Sequence, residues 1–162
     1  MRRGQTDVED GAFYEGQWSG SLRHGHGKQV WTDGMRYDGY WANGEHNGHG
    51  RMIYPDGSYY LGNWTDNTKS GNGKLVRADQ TVYEGEWIND EQHGHGSEKW
   101  HDGIFEGQYE NGFRHGQGKF EMFDGSSYEG SFINNKMEGE GKYSWPNGSH
   151  YVGNFENNQM HG

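Results

Sequence analysis

Tyr14-Glu15-Gly16-Gln17-Trp18 decides the reading, because it returns along the chain. Its leading aromatic recurs at Tyr37, Tyr60, Tyr83, Phe105, Tyr128 and Tyr151, at spacings of 23, 23, 23, 22, 23 and 23 residues. Ten residues after each aromatic comes a box of the type His24-Gly25-His26-Gly27, restarting at Asn47, Ser70, His93, His115, Glu138 and His161. Further on comes an Asp-Gly pair: Asp33-Gly34, Asp56-Gly57, Asp102-Gly103 and Asp124-Gly125, with Asn147-Gly148 as a variant and Asp79-Gln80 as the one failure. Self-similarity at a fixed period of this size is the mark of a stacked array of small units.

Each unit alternates. Tyr14, Gly16 and Trp18 share one face of a strand, while Glu15 and Gln17 share the other. Lys28-Gln29-Val30-Trp31, after the box, reads as a second strand, and Asp-Gly between strands is a strong hairpin signal. The expected fold is therefore all-β: an elongated, single-layer, twisted antiparallel β-meander of tandem hairpins. Residues 1–9 are a lead-in and residues 10–162 the array, with units starting near 14, 37, 60, 83, 105, 128 and 151. The seventh stops at Gly162, inside its box, which reads as a piece of a longer chain.

Pairing Gly16 with Gly27 places Glu15 opposite Lys28, Asp38 opposite Arg51, Glu106 opposite Lys119 and Glu129 opposite Lys142. Opposite charges across strands stabilise by about 0.2–1 kcal/mol each. The rungs Leu61–Lys74 and Glu84–Ser97 lack that match. The same register sets Trp31 opposite Tyr37 and Trp100 opposite Phe105, with a three-residue turn-plus-bulge loop in the first case and a two-residue Asp-Gly turn in the second. It also sets Trp41 over Gly27 and Trp64 over Gly50. The structural glycines are Gly16, Gly27, Gly39, Gly50, Gly62, Gly73, Gly85, Gly96, Gly107, Gly118, Gly130, Gly141 and Gly153.

Composition supports order of an unusual kind. Leu, Ile, Val and Phe together make only 19 of 162 residues, a share that with net charge −10 normally marks disorder. Yet 7 Trp and 11 Tyr are present, and the repeat phases them. Fourteen lysines and arginines against 24 acids disfavour duplex nucleic acid, whose binding rests on phosphate neutralisation. No apolar run approaches the roughly 18 residues of a membrane span. The absence of cysteine fits a reducing interior, and no signal peptide follows Met1-Arg2-Arg3-Gly4.

The Tyr-x-Gly-x-Trp element, the His-Gly-x-Gly box and the Asp-Gly turn, in that order and at those distances over residues 10–162, resemble the MORN repeat (membrane occupation and recognition nexus). Unit 3 departs most, at Ser70, Asn72 and Gln80. The resemblance implies an interaction platform that tethers membranes or cytoskeletal structures, holds partner helices in a groove, or builds oligomers. It implies a cytoplasmic setting that is cytoskeletal, ciliary or at the inner face of a membrane.

Chemistry is sparse beside this. His24-Gly25-His26 and His93-Gly94-His95 each bring two imidazoles, short of the usual three or four zinc ligands, and the repeat already accounts for them. No nucleophile elbow or phosphate loop occurs, and no catalytic residue, metal or cofactor is expected. The candidate site is the aromatic ladder: Tyr14, Trp18, Trp31, Tyr37, Trp41, Tyr60, Trp64, Tyr83, Trp87, Trp100, Phe105, Tyr109, Tyr128, Phe132, Tyr151 and Phe155. A face of that size left without a covering layer would bind an amphipathic helix or extended peptide of a partner protein. On this reading Trp41→Ala with Trp64→Ala removes binding and leaves the fold. The alternatives are a membrane-surface or phosphoinositide tether, which the charge opposes, and homotypic assembly through strand edges.

Overall fold

A computed structural model describes residues 2–161. Among the described residues, fifteen antiparallel strands follow one another in chain order in one open sheet, and the helical content is one turn, Glu9–Gly11. Contacts divide the chain into two units, Met1–Asp79 with Ile88–Asp90 and Gln80–Trp87 with Glu91–Gly162.

The first unit begins with a strand inside the stretch read as a lead-in. β1 (Arg2–Asp7) pairs antiparallel with β2 (Phe13–Ser19), an irregular pairing that no repeat signal announces. β3 (Leu22–Val30), β4 (Arg36–Ala42), β5 (Glu45–Ile53), β6 (Tyr59–Thr65) and β7 (Thr68–Val76) complete its sheet. The second unit holds β8 (Val82–Ile88), β9 (Glu91–Lys99), β10 (Gly103–Glu110), β11 (Phe113–Met122), β12 (Ser127–Ile133), β13 (Lys136–Ser144), β14 (His150–Glu156) and β15 (Gln159–His161).

The glycine register is as expected: Gly16 faces Gly27, Gly39 faces Gly50 and Gly62 faces Gly73, with Glu15 opposite Lys28 and Asp38 opposite Arg51. In the second unit Glu106 faces Lys119 and Glu129 faces Lys142. The close polar contacts of this face form elsewhere, however. Asp38 lies 3.2 Å from His26 Nε2, Glu106 3.4 Å from His95 Nε2, and Lys119 Nζ 2.8 Å from Glu121.

The His-Gly-x-Gly box does not separate the strands; it lies inside the second of each pair. Between the rungs Gly16–Gly27 and Trp18–Arg23, three residues of β3 stand against the single Gln17. This three-against-one bulge needs a left-handed residue, supplied by Gly25 at φ 72°. The Gln17 side chain replaces the lost ladder bond, its Oε1 accepting the His26 N–H at 2.7 Å. Glu86 and Gln108 do the same for His95 and Gln117 in the second unit.

The Asp-Gly loop closes one rung earlier than the sequence register places it. Trp31 donates its N–H to Met35 O and accepts that of Gly34, which makes Thr32-Asp33-Gly34 the three-residue loop. Gln29, not Trp31, is therefore the partner of Tyr37. In the 22-residue unit Trp100 closes on Gly103, so the turn residues are His101-Asp102 and Phe105 faces Glu98.

A second turn column was not read from the sequence. Asn43-Gly44, Asp66-Asn67 and Asn89-Asp90 in the first unit carry positive φ at both positions, the type I′ geometry, and Asn111-Gly112, Asn134-Asn135 and Asn157-Asn158 repeat it in the second. Each turn also bonds the preceding hairpin. The Asn67 N–H donates to His46 O at 3.0 Å, while Asn67 Oδ1 accepts the His46 N–H at 2.8 Å. Asp90 holds Lys69 this way, and Asn135 and Asn158 hold Arg114 and Met137.

Candidate functional site

The ring ladder is built by the glycine rows. Tyr14 lies flat along its own strand, its hydroxyl donating to Gln17 O at 2.6 Å, and crosses Gly16 and Gly27. A Cβ at Gly27 would overlap that phenol ring, and Tyr37, Tyr60, Tyr83, Phe105 and Tyr128 lie in the same way over Gly50, Gly73, Gly96, Gly118 and Gly141. The ring over Gly27 is thus Tyr14 rather than Trp41. Trp41 stands opposite Gly25 and donates its indole N–H to Gly27 O at 3.0 Å, as Trp64 does to Gly50 O at 3.2 Å.

Flat tyrosines and upright indoles meet edge to face. Trp41 packs against Tyr14 at 5.3 Å and 86° and against Tyr37 at 5.2 Å and 88°. In the second unit Tyr128 meets Phe132 at 5.2 Å and Phe155 at 4.9 Å. Such pairs add about 0.5–1.5 kcal/mol beyond their burial. This herringbone takes the place of an aliphatic core.

Twelve of the sixteen expected groove residues are buried within it: Tyr14, Tyr37, Trp41, Tyr60, Trp64, Tyr83, Trp87, Phe105, Tyr109, Tyr128, Phe132 and Phe155. Trp18, Trp31, Trp100 and Tyr151 are half-buried and reachable at the surface. Most of the ladder is therefore the core of the sheet rather than an open trough. The outer row that starts at Trp31 is continued by Tyr54 and Arg77 in the first unit, and by Trp100, Met122 and Trp145 in the second.

A repeat column absent from the expected site runs beside the rings: Arg23, His46 and Lys69 in the first unit, Gln92, Arg114, Met137 and Met160 in the second, of which Arg23, His46, Lys69 and Arg114 lie over rings. Arg23 lies 5.1 Å from the Trp41 ring, bonding Gln29 Oε1 at 2.7 Å and Glu9 at 2.9 Å. That guanidinium, with a backbone hydrogen bond as the larger cause, lowers the Glu9 pKa. Lys69 Nζ sits 5.7, 5.7 and 5.8 Å from the Tyr54, Tyr60 and Trp64 rings. Arg114 sits 5.4, 5.4 and 5.0 Å from Trp100, Phe105 and Phe120. Its countercharge Glu98, 3.8 Å away, is buried and accepts the Tyr109 hydroxyl at 2.6 Å. Burial first, then the Glu98 charge, raises the Tyr109 pKa. Cation–π contacts of this kind are worth about 0.5–2 kcal/mol, more as water is excluded.

His46 fills the same place between Trp31, Trp41 and Trp64 and stacks on Tyr37 at 4.0 Å and 19°. Burial, with the nearby Arg23 charge second, pushes its pKa down to about 4. The unfolded chain then takes up a proton that the folded chain refuses. The stability is whole above pH 6.5, falls between 6.5 and 4, and levels off below. The expected loss across that window is about 3 kcal/mol. Urea titrations of the wild type and His46→Gln at pH 7 and pH 4.5 check this: the variant's pH dependence should be the smaller.

The profile of the MORN repeat matches residues 14–36, 37–59, 60–82, 83–104, 105–127, 128–150 and 151–162. The chain belongs to the MORN-repeat family. Among solved structures, the TCP domain of Drosophila melanogaster SAS-4 (dCPAP) superposes with TM-score 0.51 at 9% identity, covering 93% of this chain and 88% of that one. The TCP10 domain of Danio rerio CPAP gives TM-score 0.40 at 14% identity, covering 93% and 76%. The first of these likenesses, at 9% identity, concerns the fold alone. No curated relative matches the sequence.

Proposed function

We propose that this chain is a non-enzymatic scaffold whose aromatic face binds an extended segment of a partner protein. The observation that carries the reading is the outer row of each unit. Above a ring core that is already satisfied, Trp31 and Tyr54 in the first unit and Trp100, Met122 and Trp145 in the second stay partly open to water. Aromatic and methionine side chains on a rigid sheet supply contact area at small entropic cost. Family membership supports the reading, because MORN arrays are interaction modules. The SAS-4 TCP domain, of similar fold, is described in complex with a proline-rich motif of Ana2, so a sheet of this kind accommodates a linear segment. The setting we infer is cytoplasmic and cytoskeletal, where a cysteine-free chain loses nothing to reducing conditions.

The test is selection from a random dodecapeptide library, followed by mapping of the selected peptides on the labelled protein. Bound peptides are expected to shift the indole N–H signals of Trp31, Trp100 or Trp145. Triple replacement of these three by serine should weaken binding at least tenfold. Peptides that map to the opposite face, around Tyr40 or Val152, or that bind the triple variant unchanged, overturn the proposal.

A further inference from the structure

The covering column changes chemistry along the chain, and the change leaves a place unfilled. Lys69 and Arg114 occupy pockets formed by the ring of their own unit and a ring of the outer row of the unit before. The corresponding position in the sixth unit is Met137. Around it Tyr128 and Tyr143 stand where Phe105 and Phe120 flank Arg114, and Met122 takes the place of the Trp100 ring. Instead of an inserted cation there is an open cavity of about 380 Å³, which Phe120 also lines. A second hollow of about 530 Å³, sharing Met137 and Tyr143, opens beside it towards Trp145.

The lining contains no positive charge and one negative one. Asp124 stands in the wall, its carboxylate accepting the Ser126 N–H at 2.8 Å and the Ser126 hydroxyl at 2.6 Å. These two bonds hold its carboxyl below the usual carboxylate range. Asn158, whose counterpart Asp90 faces Lys69, lines the same pocket. Tyr128 and Tyr143, whose counterparts flank Arg114, have no lysine or arginine over them among the described residues. They stand next to a fixed carboxylate, on a chain of net charge −10, and the nearest cation–ring contact is Arg114 on Phe120.

We infer that this pocket receives a lysine or arginine side chain from a basic partner segment, inserted over Tyr128 and Tyr143 and paired with Asp124. Ring faces attract a cation through their quadrupole, and the carboxylate adds a directional contact that an apolar side chain cannot use. The inference rests on the peptide-binding reading above and names the chemistry of its anchor.

The probe is acetyl-Leu-Arg-Leu-amide, compared with the same peptide carrying citrulline or norleucine in place of arginine. The full chain is labelled at its methionine methyls. The arginine peptide should give saturable shifts at Met122 and Met137 and bind about tenfold more tightly than either neutral peptide. Met137→Arg, which places the chain's own guanidinium beside Tyr128 and Tyr143, should fold and lose the arginine peptide, as read at Met122. Asp124→Asn should weaken the arginine peptide several-fold and leave the norleucine peptide unchanged. Equal binding of the three peptides overturns the cation assignment while the wider proposal stands or falls on the indole-row result. Absence of shifts at both methyls also overturns it. Should Met137→Arg fail to fold, the Asp124→Asn comparison decides alone, and no difference between the peptides there and in the wild type sinks the inference.

Discussion

Gly39→Ala is expected to cost about 3 kcal/mol or more, a large part of the roughly 5–15 kcal/mol that stabilises a domain. A Cβ there would meet Gly50 Cα and His49 O, both backbone, and the Tyr37 hydroxyl at 2.8 Å. Backbone cannot rotate aside as a long side chain can, so the two strands would have to part where the ring above them is packed. Gly57→Ala provides the contrast. Its φ of 89° strains an alanine, but nothing stands within 4 Å of the added carbon, and the expected cost is about 1 kcal/mol. Urea unfolding followed by tryptophan fluorescence separates the two. Equal midpoints would show that the glycine row is not held by steric contact with the ladder.

Trp41→Ala combined with Trp64→Ala is expected to unfold the first unit at 25 °C, against the sequence-based expectation that the fold would survive. Each indole is 4% exposed. Each spans the edges of two tyrosines and bonds a glycine carbonyl in the strand beside it. Removing one such residue costs about 3–5 kcal/mol. Both touch Tyr37, so the losses are not strictly additive. Their sum still reaches the roughly 5–15 kcal/mol that stabilises a whole domain. Circular dichroism of the double variant checks this, and a cooperative melt near the wild-type temperature would refute it. Trp31→Ser, by comparison, removes a half-buried ring and should leave the melt nearly in place.

These results explain what the amino acids disclose and what they conceal. The hairpins and the Gly16–Gly27 register were legible because glycines and opposed charges mark particular rungs on known faces. The bulge at Gly25 was not. It slips the pairing by two residues, and a slip of two returns every side chain to the face it came from, so alternation carries no trace of it. The assignment of Trp31 to Tyr37 failed for the same reason, since Gln29 and Trp31 share a face. The covering column was hidden by its chemistry. Arg23, His46, Lys69, Gln92, Arg114 and Met137 have no shared polarity, and a charged residue in a strand reads as solvent-facing. Long stems that lie over rings and carry a charged head break that rule. The type I′ turns did have a visible signal in Asn43-Gly44 and Asn111-Gly112, obscured where Asp66-Asn67 and Asn134-Asn135 do the same work without glycine.

The bonds between a type I′ turn and the backbone of the hairpin before it run one way. Asn67 closes the hairpin that precedes it and Asp90 closes the next, in each case holding a backbone group of the earlier hairpin with a turn of the later one. Asn135 and Asn158 continue the rule in the second unit. Excising a hairpin therefore wounds its two neighbours unequally: both lose a strand ladder, but only the predecessor also loses the cap on its returning strand. Such an array has a grain, like a row of overlapping tiles. Shortening it from the two sides by equal lengths yields products of unequal stability, although the repeats being removed are nearly the same in sequence.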